Sequence, residues 1–305
     1  MADDPAPFDP RPGQPLRLAE GLRLVLAPNP SPMTERGTNS YLLGEGAVTV
    51  IDPGPDDPRH VAALLAALAP GERIARILVS HAHLDHSPAA RALAQQTGAP
   101  VLAFGDTLAG RSPRMMRLAG DDIGGGEGVD AHFRPDEALP EGTELDVGGL
   151  ALRALHTPGH FGNHLCFLWG ERLFSGDMVM GWAPSLVSPP DGDLTDFMAS
   201  LDRLEALGPT RLYPGHGAPV ADGPARIRAL RAHRLAREAA IRRALDDGAT
   251  DIGAIVRQVY TDIDPRLIGG AMRNVLAHLI DLQARRLVVF DGAPGLRARV
   301  HACTS

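Results

Sequence analysis

The stretch Ser80-His81-Ala82-His83-Leu84-Asp85-His86-Ser87 directly follows the apolar run 74–79. An apolar strand that ends in a turn is a rigid support for side chains. Imidazole and carboxylate groups together are typical ligands of zinc or of a neighbouring first-row metal. The two histidines that lie one residue apart can reach one ion from an extended backbone, and Asp85 and His86 can hold a second ion beside it. A solvated, histidine-rich loop is the alternative, but so dense a pattern favours a metal site.

Three further segments downstream share one arrangement: a strand end, then Gly or Pro, then a residue with metal-ligand chemistry. They are Thr157-Pro158-Gly159-His160, Ser175-Gly176-Asp177 and Pro214-Gly215-His216. Each segment brings one more ligand type to the end of a strand. The sequence therefore offers seven candidate metal ligands: His81, His83, Asp85, His86, His160, Asp177 and His216.

The order and context of these four segments resemble the metallo-β-lactamase-fold hydrolases, over a match that runs from Asn39 to His216. Alternating strands and helices with ligands at strand ends predict an α/β layered protein. The resemblance implies a more particular fold, the αββα sandwich, in which helices face two mixed sheets and the metals lie at one edge between the sheets. Within the superfamily the chain is most similar to the lactamase-β-like, glyoxalase-II-like subgroup.

For the site, the resemblance implies a pair of metal ions, expected to be zinc with manganese or iron as alternatives. A hydroxide shared by the two ions would attack the substrate, and Asp85 would also orient that nucleophile or carry its proton. Asp52 matches a family aspartate that lies beneath the metals, although it can equally cap a turn. By carry-over from the family, the first ion is bound by His81, His83 and His160, the second by Asp85, His86 and His216, and both are bridged by Asp177.

The bulk composition is that of an ordinary soluble globular protein of 305 residues, with 44% hydrophobic and 22% charged residues. No apolar run approaches the roughly 20 residues that a membrane helix needs. The N-terminal sequence is acidic and Pro-rich and lacks the basic and apolar regions of a signal peptide. Only Cys166 and Cys303 are present, too few for a disulfide framework. These features predict a cytoplasmic protein without a membrane partner.

Every basic residue besides histidine is arginine, which excludes catalysis by a lysine nucleophile or Schiff base. Residues 1–220 carry 16 arginines and 28 acidic residues, a formal charge of −12, whereas residues 221–305 carry 14 arginines and 9 acidic residues, a formal charge of +5. We therefore expect a catalytic domain over 1–220 and a separate domain over 221–305. The order helix, helix, hairpin in the second part resembles the winged-helix domain of the same subgroup, which can line a substrate cleft or a dimer contact.

Two segments are predicted to be irregular. Residues 105–131 contain a glycine run and little periodicity, so they form either an active-site cover or a floppy insertion. Residues 178–193 follow the candidate ligand Asp177 and hold Trp182 and Ser185, which makes them a plausible substrate wall. His164 occupies a position that is often histidine in the family, and we expect it to support the site or simply to pack.

Three functions are compatible with these features. The first is a dinuclear metal hydrolase that acts on a carboxylic thioester or ester of a small acyl substrate. The second is cleavage of single-stranded RNA at the same metals; the +5 tail favours it, whereas the −12 front part and the low aromatic content, 4%, do not. The third is a redox or binding module with two irons, but the chain has no flavodoxin-like segment. A homodimer through the tail is a reasonable partner prediction.

Overall fold

The computed structural model describes residues 8–119 and 123–303. Its strands are β1 (Pro15–Ala19), β2 (Leu22–Leu26), β3 (Asn39–Leu43), β4 (Ala47–Ile51), β5 (Arg73–Leu78), β6 (Val101–Ala103), β7 (Glu137–Ala138), β8 (Glu144–Val147), β9 (Leu150–His156), β10 (Leu165–Trp169), β11 (Arg172–Gly176), β12 (Arg211–Pro214), β13 (Val288–Phe290) and β14 (Val300–Ala302). Its α-helices are α1 (Pro58–Ala66), α2 (Ala89–Thr97), α3 (Pro113–Leu118), α4 (Leu194–Leu207), α5 (Gly223–Asp246), α6 (Ile252–Val259) and α7 (Ile268–Ala284).

Two mixed sheets form the centre of the molecule. The first has the order β1-β2-β3-β4-β5-β6-β7, antiparallel from β1 to β4 and parallel from β4 to β7. The second has the order β12-β11-β10-β9-β8, in which only the pair β11 and β12 is parallel. The strands β9, β11 and β12 consequently point the same way, and their C-terminal ends meet at one edge of the sheet.

Successive side chains along each strand point alternately to the space between the sheets and to the helices outside. In β10, Leu165 and Phe167 face the space between the sheets, and Cys166 between them faces α4. In β5, Leu78 faces the space between the sheets and Ile77 faces α1 and α2. Helices therefore cover the outer face of both sheets, and the predicted αββα sandwich is confirmed.

Local signals fix the helix that covers the second sheet. The side chain of Asp193 accepts a hydrogen bond from the N–H of Thr195 and so begins α4, and Gly208 ends the helix in a left-handed conformation with φ +62°. Its apolar face, which includes Phe197 and Leu201, packs on β10 and β11.

The C-terminal part contains α5, α6, a short 3₁₀ helix (Pro265–Leu267), α7 and the β13–β14 hairpin. This order matches the helices and hairpin expected from the sequence. The N-terminal half of α5 packs through Ile227 and Leu230 on the αββα sandwich. Its C-terminal half packs through Ile241 and Leu245 on α6 and α7 in a second core. A division of the chain near residue 220 stays a prediction, and this one helix spans both cores.

The segment 105–131 is not a floppy insertion, and its later residues lie against the ligand stretch, where the N–H of Leu84 donates to the carbonyl of Gly128, as expected of an active-site cover. It contains α3, and Met115, Leu118 and Ile123 lie in the core of the C-terminal part. The helix begins at Ser112, whose side chain accepts from the N–H of Met115. The segment is thus pinned to the C-terminal helices, and residues 120–122 within it lie outside the described residues.

Two further observations concern the first strand and membrane helices. Residues Pro15–Ala19 form β1, which extends the first sheet by pairing with β2. Across residues 8–119 and 123–303, no helix is both long and apolar enough to span a bilayer.

Candidate metal centre

The seven candidate ligands lie together at one edge of the sandwich. The stretch 81–86 follows β5, His160 follows β9, and Asp177 and His216 follow β11 and β12. Within each sheet, the strands that lead to these residues run in the same direction, so their ends deliver the side chains to a common edge. His81, His86, His160, Asp177 and His216 are buried, whereas His83 and Asp85 are partly exposed.

Three histidines converge in a first group. Nδ1 of His83 lies 2.8 Å from Nε2 of His81 and 3.1 Å from Nε2 of His160. The hydrogen bonds made by Nδ1 of His160 and of His81 fix the tautomers of these two rings. Nδ1 of His160 donates to the carbonyl of Leu186 over 2.7 Å. Nδ1 of His81 lies 2.9 Å from Oγ of Ser80, whose own proton goes to Asp52. The Nε2 atoms of His81 and His160 therefore present lone pairs to the centre of the group.

A second group lies beside the first. Nε2 of His216 lies 3.1 Å from Oδ2 of Asp85 and 3.3 Å from Nε2 of His86. Nδ1 of His86 donates to Oδ2 of Asp52 over 3.0 Å, and Nδ1 of His216 donates to the carbonyl of Gly37 over 3.1 Å. Both Nε2 atoms are again free to bind a cation.

Asp177 lies between the two groups. Its Oδ1 lies 3.5 Å from Nε2 of His86, and its Oδ2 lies 3.3 Å from Nε2 of His216 and 3.8 Å from Nε2 of His160. Oδ1 is buried without a hydrogen-bond partner among the described residues. A buried carboxylate oxygen that faces imidazole lone pairs is strongly unfavourable unless a cation binds there.

The arrangement fits divalent metal ions. Two ligand atoms on one tetrahedral zinc ion, each about 2.1 Å from it, are about 3.4 Å apart, close to the separations found within both groups. The sets that can share one ion are His81 with His83 and His160, His81 with His86 and Asp177, and Asp85 with His86 and His216. The donor set is nitrogen and oxygen without sulfur, which suits zinc, manganese or iron.

The protonation of the two groups differs. Burial lowers the pKa of His81 and lowers the pKa of His83 to about 3, so the first group is neutral. Burial also opposes protonation of His216, but the carboxylates of Asp177 and Asp85 outweigh it and raise the pKa of His216 to about 10. The pKa of Asp177 lies well below its usual range because His216 and His86 outweigh the effect of burial. The second group thus requires positive charge, which protons or metal cations can supply.

Asp52 supports the centre from below. Its Oδ1 accepts a hydrogen bond from the N–H of Ser80 over 2.7 Å, and its Oδ2 accepts from Oγ of Ser80 over 2.8 Å. Asp52 has φ +53°, in the left-handed region where aspartate and asparagine are tolerated. The residue therefore links the ends of β4 and β5 and orients a histidine from each group. The sequence placed Asp52 near the metals, but it assigned no role to Ser80.

His164 supports Asp177 through the backbone. Its Nε2 accepts a hydrogen bond from the N–H of Asp177 over 3.2 Å, and its Nδ1 lies 3.0 Å from Oγ1 of Thr157. That hydroxyl in turn donates to Sγ of Cys166 over 3.2 Å. Burial raises the pKa of the Cys166 thiol to about 12, so it is inert, as its position in an apolar strand predicted.

Two exposed apolar side chains lie next to residues of the centre. Leu84 is 50% exposed and directly precedes Asp85. Trp182 is 39% exposed and lies against Gly217, where an added methyl group would be 2.6 Å from its Cδ1 and 2.8 Å from Oε2 of Glu35. Ser185, expected beside Trp182 in the substrate wall, is instead fully buried and donates to the carbonyl of Met178.

Gly215 approaches the second group closely, a role that the sequence analysis did not predict. A methyl group at this position would lie 2.5 Å from Oδ1 of Asp177 and 2.7 Å from Cε1 of His86. The backbone between β12 and His216 therefore passes directly behind the second group. The repeated Gly before a ligand type in the downstream segments was the sequence signal for this close approach.

Comparison with known proteins agrees with this fold. A profile of the metallo-beta-lactamase superfamily matches residues 33–216, and a profile of the beta-lactamase associated winged helix domain matches residues 252–296. The chain therefore belongs to the metallo-beta-lactamase superfamily and is a hydrolase of that superfamily. The resemblance predicted from the four motif segments is confirmed.

Individual relatives cover most of the chain. A beta-lactamase-like protein 2 homolog from Caenorhabditis elegans is 31% identical over 265 residues, which is 85% of this chain and 83% of that protein. An atrochrysone carboxyl ACP thioesterase from Aspergillus fumigatus is 34% identical over 202 residues, 64% of this chain and 56% of that protein. Among solved structures, a metallo-beta-lactamase family protein from Thermus thermophilus has a TM-score of 0.74 at 28% identity, over 94% of this chain and all of that one.

Proposed function

We propose that the protein hydrolyses a carboxylic thioester or ester at two divalent cations, zinc in the first place. The observation that carries this proposal is the position of the buried Asp177 carboxylate: its two oxygens lie 3.3–3.8 Å from Nε2 of His86, His160 and His216, and Oδ1 has no hydrogen-bond partner among the described residues. In this assignment His81, His83 and His160 hold one ion, Asp85, His86 and His216 hold the other, and Asp177 contacts both. Cations bound there would supply Lewis acidity for the substrate carbonyl and lower the pKa of a water to near 7.

The chain itself supplies a base, Asp85. The side chain of Asp85 is 27% exposed at the mouth of the centre, and its Oδ2 lies 3.1 Å from Nε2 of His216. Burial raises the pKa of Asp85, but His86 and His216 outweigh burial and keep it ionised at neutral pH. Asp85 therefore accepts a proton from water as the water oxygen bonds to the carbonyl carbon. The carbon–sulfur bond breaks, and the proton passes to the departing thiolate.

Two observations support an acyl substrate. The thioesterase from Aspergillus fumigatus shares 34% identity with this chain over the aligned part. Leu84, next to Asp85 in the sequence, and Trp182, which lies against Gly217 beside His216, expose apolar surfaces that suit an acyl group better than a polyanion. The substrate proposed is thus the thioester or ester of a small apolar acid.

RNA cleavage is less well supported, because many arginines of the tail already have partners. Arg231 and Arg285 pair with acidic side chains, and Arg226 donates to two backbone carbonyls. Arg234 and Arg273 are buried. These five guanidinium groups are therefore paired or buried, which reduces the positive charge that the tail can offer to phosphates.

The proposal is tested with metal analysis and two substrate panels. The purified protein is assayed for bound metal, then incubated with acyl thioesters and, separately, with single-stranded RNA. Asp177→Ala is the site control and Asp202→Ala, at an exposed aspartate, is the matched control. We expect two metal ions per chain and thioester hydrolysis that only Asp177→Ala abolishes. RNA cleavage without thioester turnover, or full activity in Asp177→Ala, would overturn the proposal.

Three further parts of the proposal concern the whole protein. We propose a catalytic domain that ends near residue 220 and a C-terminal domain over residues 221–305. We also propose a homodimer that forms through the C-terminal domain, and light scattering after size-exclusion chromatography tests it. A cytoplasmic setting accords with the two free cysteines, Cys166 and Cys303, and is tested by localising the tagged protein.

A further inference from the structure

A short segment of the catalytic part, Ser185–Pro189, is held at every residue by the C-terminal helices. Arg234 on α5 donates to the carbonyl of Ser185, and Oδ1 of Asn274 on α7 accepts from the N–H of Val187 over 3.1 Å. Leu186 packs on α7 beside Gly270. Arg273 on α7 donates to Oγ of Ser188 over 2.8 Å and to the carbonyl of Pro189.

The middle of this segment orients a proposed metal ligand. The carbonyl of Leu186 accepts a hydrogen bond from Nδ1 of His160 over 2.7 Å. This bond selects the tautomer in which Nε2 of His160 faces His83. The two residues that flank Leu186 are the ones tied to Arg234 and Asn274, so the direction of its carbonyl depends on both helices.

The two helix residues also brace each other. Arg234 donates to Oδ1 of Asn274 over 3.1 Å, and its guanidinium lies 4.9 Å from the centre of the Phe197 ring. Arg234 is 3% exposed, and no carboxylate among the described residues lies within salt-bridge distance of it. Burying a guanidinium without a carboxylate is costly. Its hydrogen bonds to the carbonyl of Ser185 and to Asn274 give a specific reason for its presence at this position.

We propose that Asn274 and Arg234 are positioning residues for His160 and that the C-terminal part, through them, completes the first metal group. The inference rests on the proposed metal centre. It gives the winged-helix part a task that requires neither nucleic acid nor a second chain. The connection is short: a helix side chain, one backbone segment and the imidazole of His160.

The test measures metal affinity, which is distinct from turnover. Asn274→Ala removes the shared oxygen, and Asn274→Asp retains an oxygen at the same place. Arg231→Gln is the matched control, because Arg231 also lies on α5 and joins the two parts, through Asp202 at 2.6 Å, without contacting the Ser185–Pro189 segment. Zinc affinities come from competition with a chromophoric chelator, and the ligand geometry comes from the visible spectrum of the cobalt-substituted protein.

We expect Asn274→Ala to lower the affinity for one of the two zinc ions by about 10–100-fold and to alter the visible spectrum of the cobalt-substituted protein. Asn274→Asp restores most of that affinity, and Arg231→Gln binds both ions as the wild type does. If Asn274→Ala does not fold, Arg234→Met, which keeps the aliphatic stem, carries the same expectation. Unchanged affinity in the variant that folds, or an equal loss in Arg231→Gln, would overturn the inference.

His160→Ala separates this inference from the proposed function. If His160→Ala loses one ion and Asn274→Ala binds both ions with full affinity, the positioning role is wrong but the proposed metal centre is not. Retention of both ions in His160→Ala would mean that the proposed metal centre is wrong and that the positioning role falls with it.

Discussion

Nδ1 of His86 donates a hydrogen bond to Oδ2 of Asp52 over 3.0 Å, which ties a ligand of the second group to the end of β4. Because the donor is Nδ1, the lone pair on Nε2 points toward Asp85 and His216. The other oxygen of Asp52 is already bonded to the N–H of Ser80. Asp52 thus has a fixed orientation and can accept from only one tautomer of His86.

Asp52→Asn tests this relationship without straining the backbone, because asparagine also tolerates the left-handed conformation. The amide can no longer accept from both Ser80 and His86, so His86 loses the bond that selects its tautomer. We expect zinc affinity to fall by about 10–100-fold, as measured by chelator competition. Asp202→Asn, at an exposed aspartate, is the control. Wild-type affinity in Asp52→Asn would contradict the supporting role.

The close approach of Gly215 to the centre gives a second prediction. A methyl group there would lie 2.5 Å from Oδ1 of Asp177, so Gly215→Ala must displace that carboxylate. We expect a folded protein with little bound metal and hydrolysis reduced at least about 100-fold. Gly269→Ala is the matched control, because open space surrounds Gly269 at the start of α7. Normal metal content in Gly215→Ala would show that the backbone moves away and relieves the contact.

Trp182 is expected to set the preference for the acyl group. Trp182→Ala removes an exposed apolar surface without touching a proposed ligand. We expect kcat/KM for bulky acyl thioesters to fall about tenfold through KM, with little change for an acetyl thioester. The control is Leu207→Ala, at an exposed apolar residue at the end of α4. An equal effect on large and small acyl groups would argue against a specificity role.

His60 gives a prediction about acid stability. Nε2 of His60 lies 2.8 Å from Oγ of Ser40, and its Nδ1 is buried without a partner among the described residues. Burial lowers the pKa of His60 from 6.5 to about 4. Between pH 6.5 and about 4, His60 is therefore protonated in the unfolded chain and neutral in the folded chain. His60 costs stability on the order of 2–3 kcal/mol as the pH falls from 6.5 to 4, and nothing above that window.

His60→Gln removes this titration and retains a hydrogen-bond donor for Ser40. We expect the free energy of unfolding, measured with urea at several pH values, to fall less steeply between pH 6.5 and 4 than in the wild type. His132→Gln, at an exposed histidine, is the control. Parallel curves for the wild type and His60→Gln would contradict the assignment.

The sequence predicted the features that are encoded locally. Each candidate ligand directly follows a strand, and a strand end next to Gly or Pro can be recognised within a few residues. The period of two in β10 and β5 and the caps of α4 are local in the same sense. The seven candidate ligands can therefore be named without knowledge of where they lie in space, and the structure brings all seven to one edge.

What the sequence did not predict depends on contacts between distant residues. The role of segment 105–131 depends on Ile123, whose carbonyl accepts from Arg273, 150 positions later. Asn274 lies in a helix whose buried residues are mostly apolar, and a polar residue at such a place was the available signal. Its partner Val187 is 87 positions away. No local pattern encodes pairings at that distance.

The 24-residue helix α5 has a consequence for cooperativity. Because its first half belongs to one core and its second half to the other, neither core can melt without exposing the apolar face of a helix that the other still needs. Heating should therefore produce one transition rather than two. A chain cut after residue 220 would not be a smaller hydrolase: it would lose the cover over α4 and the support for Ser185–Pro189 in the same step.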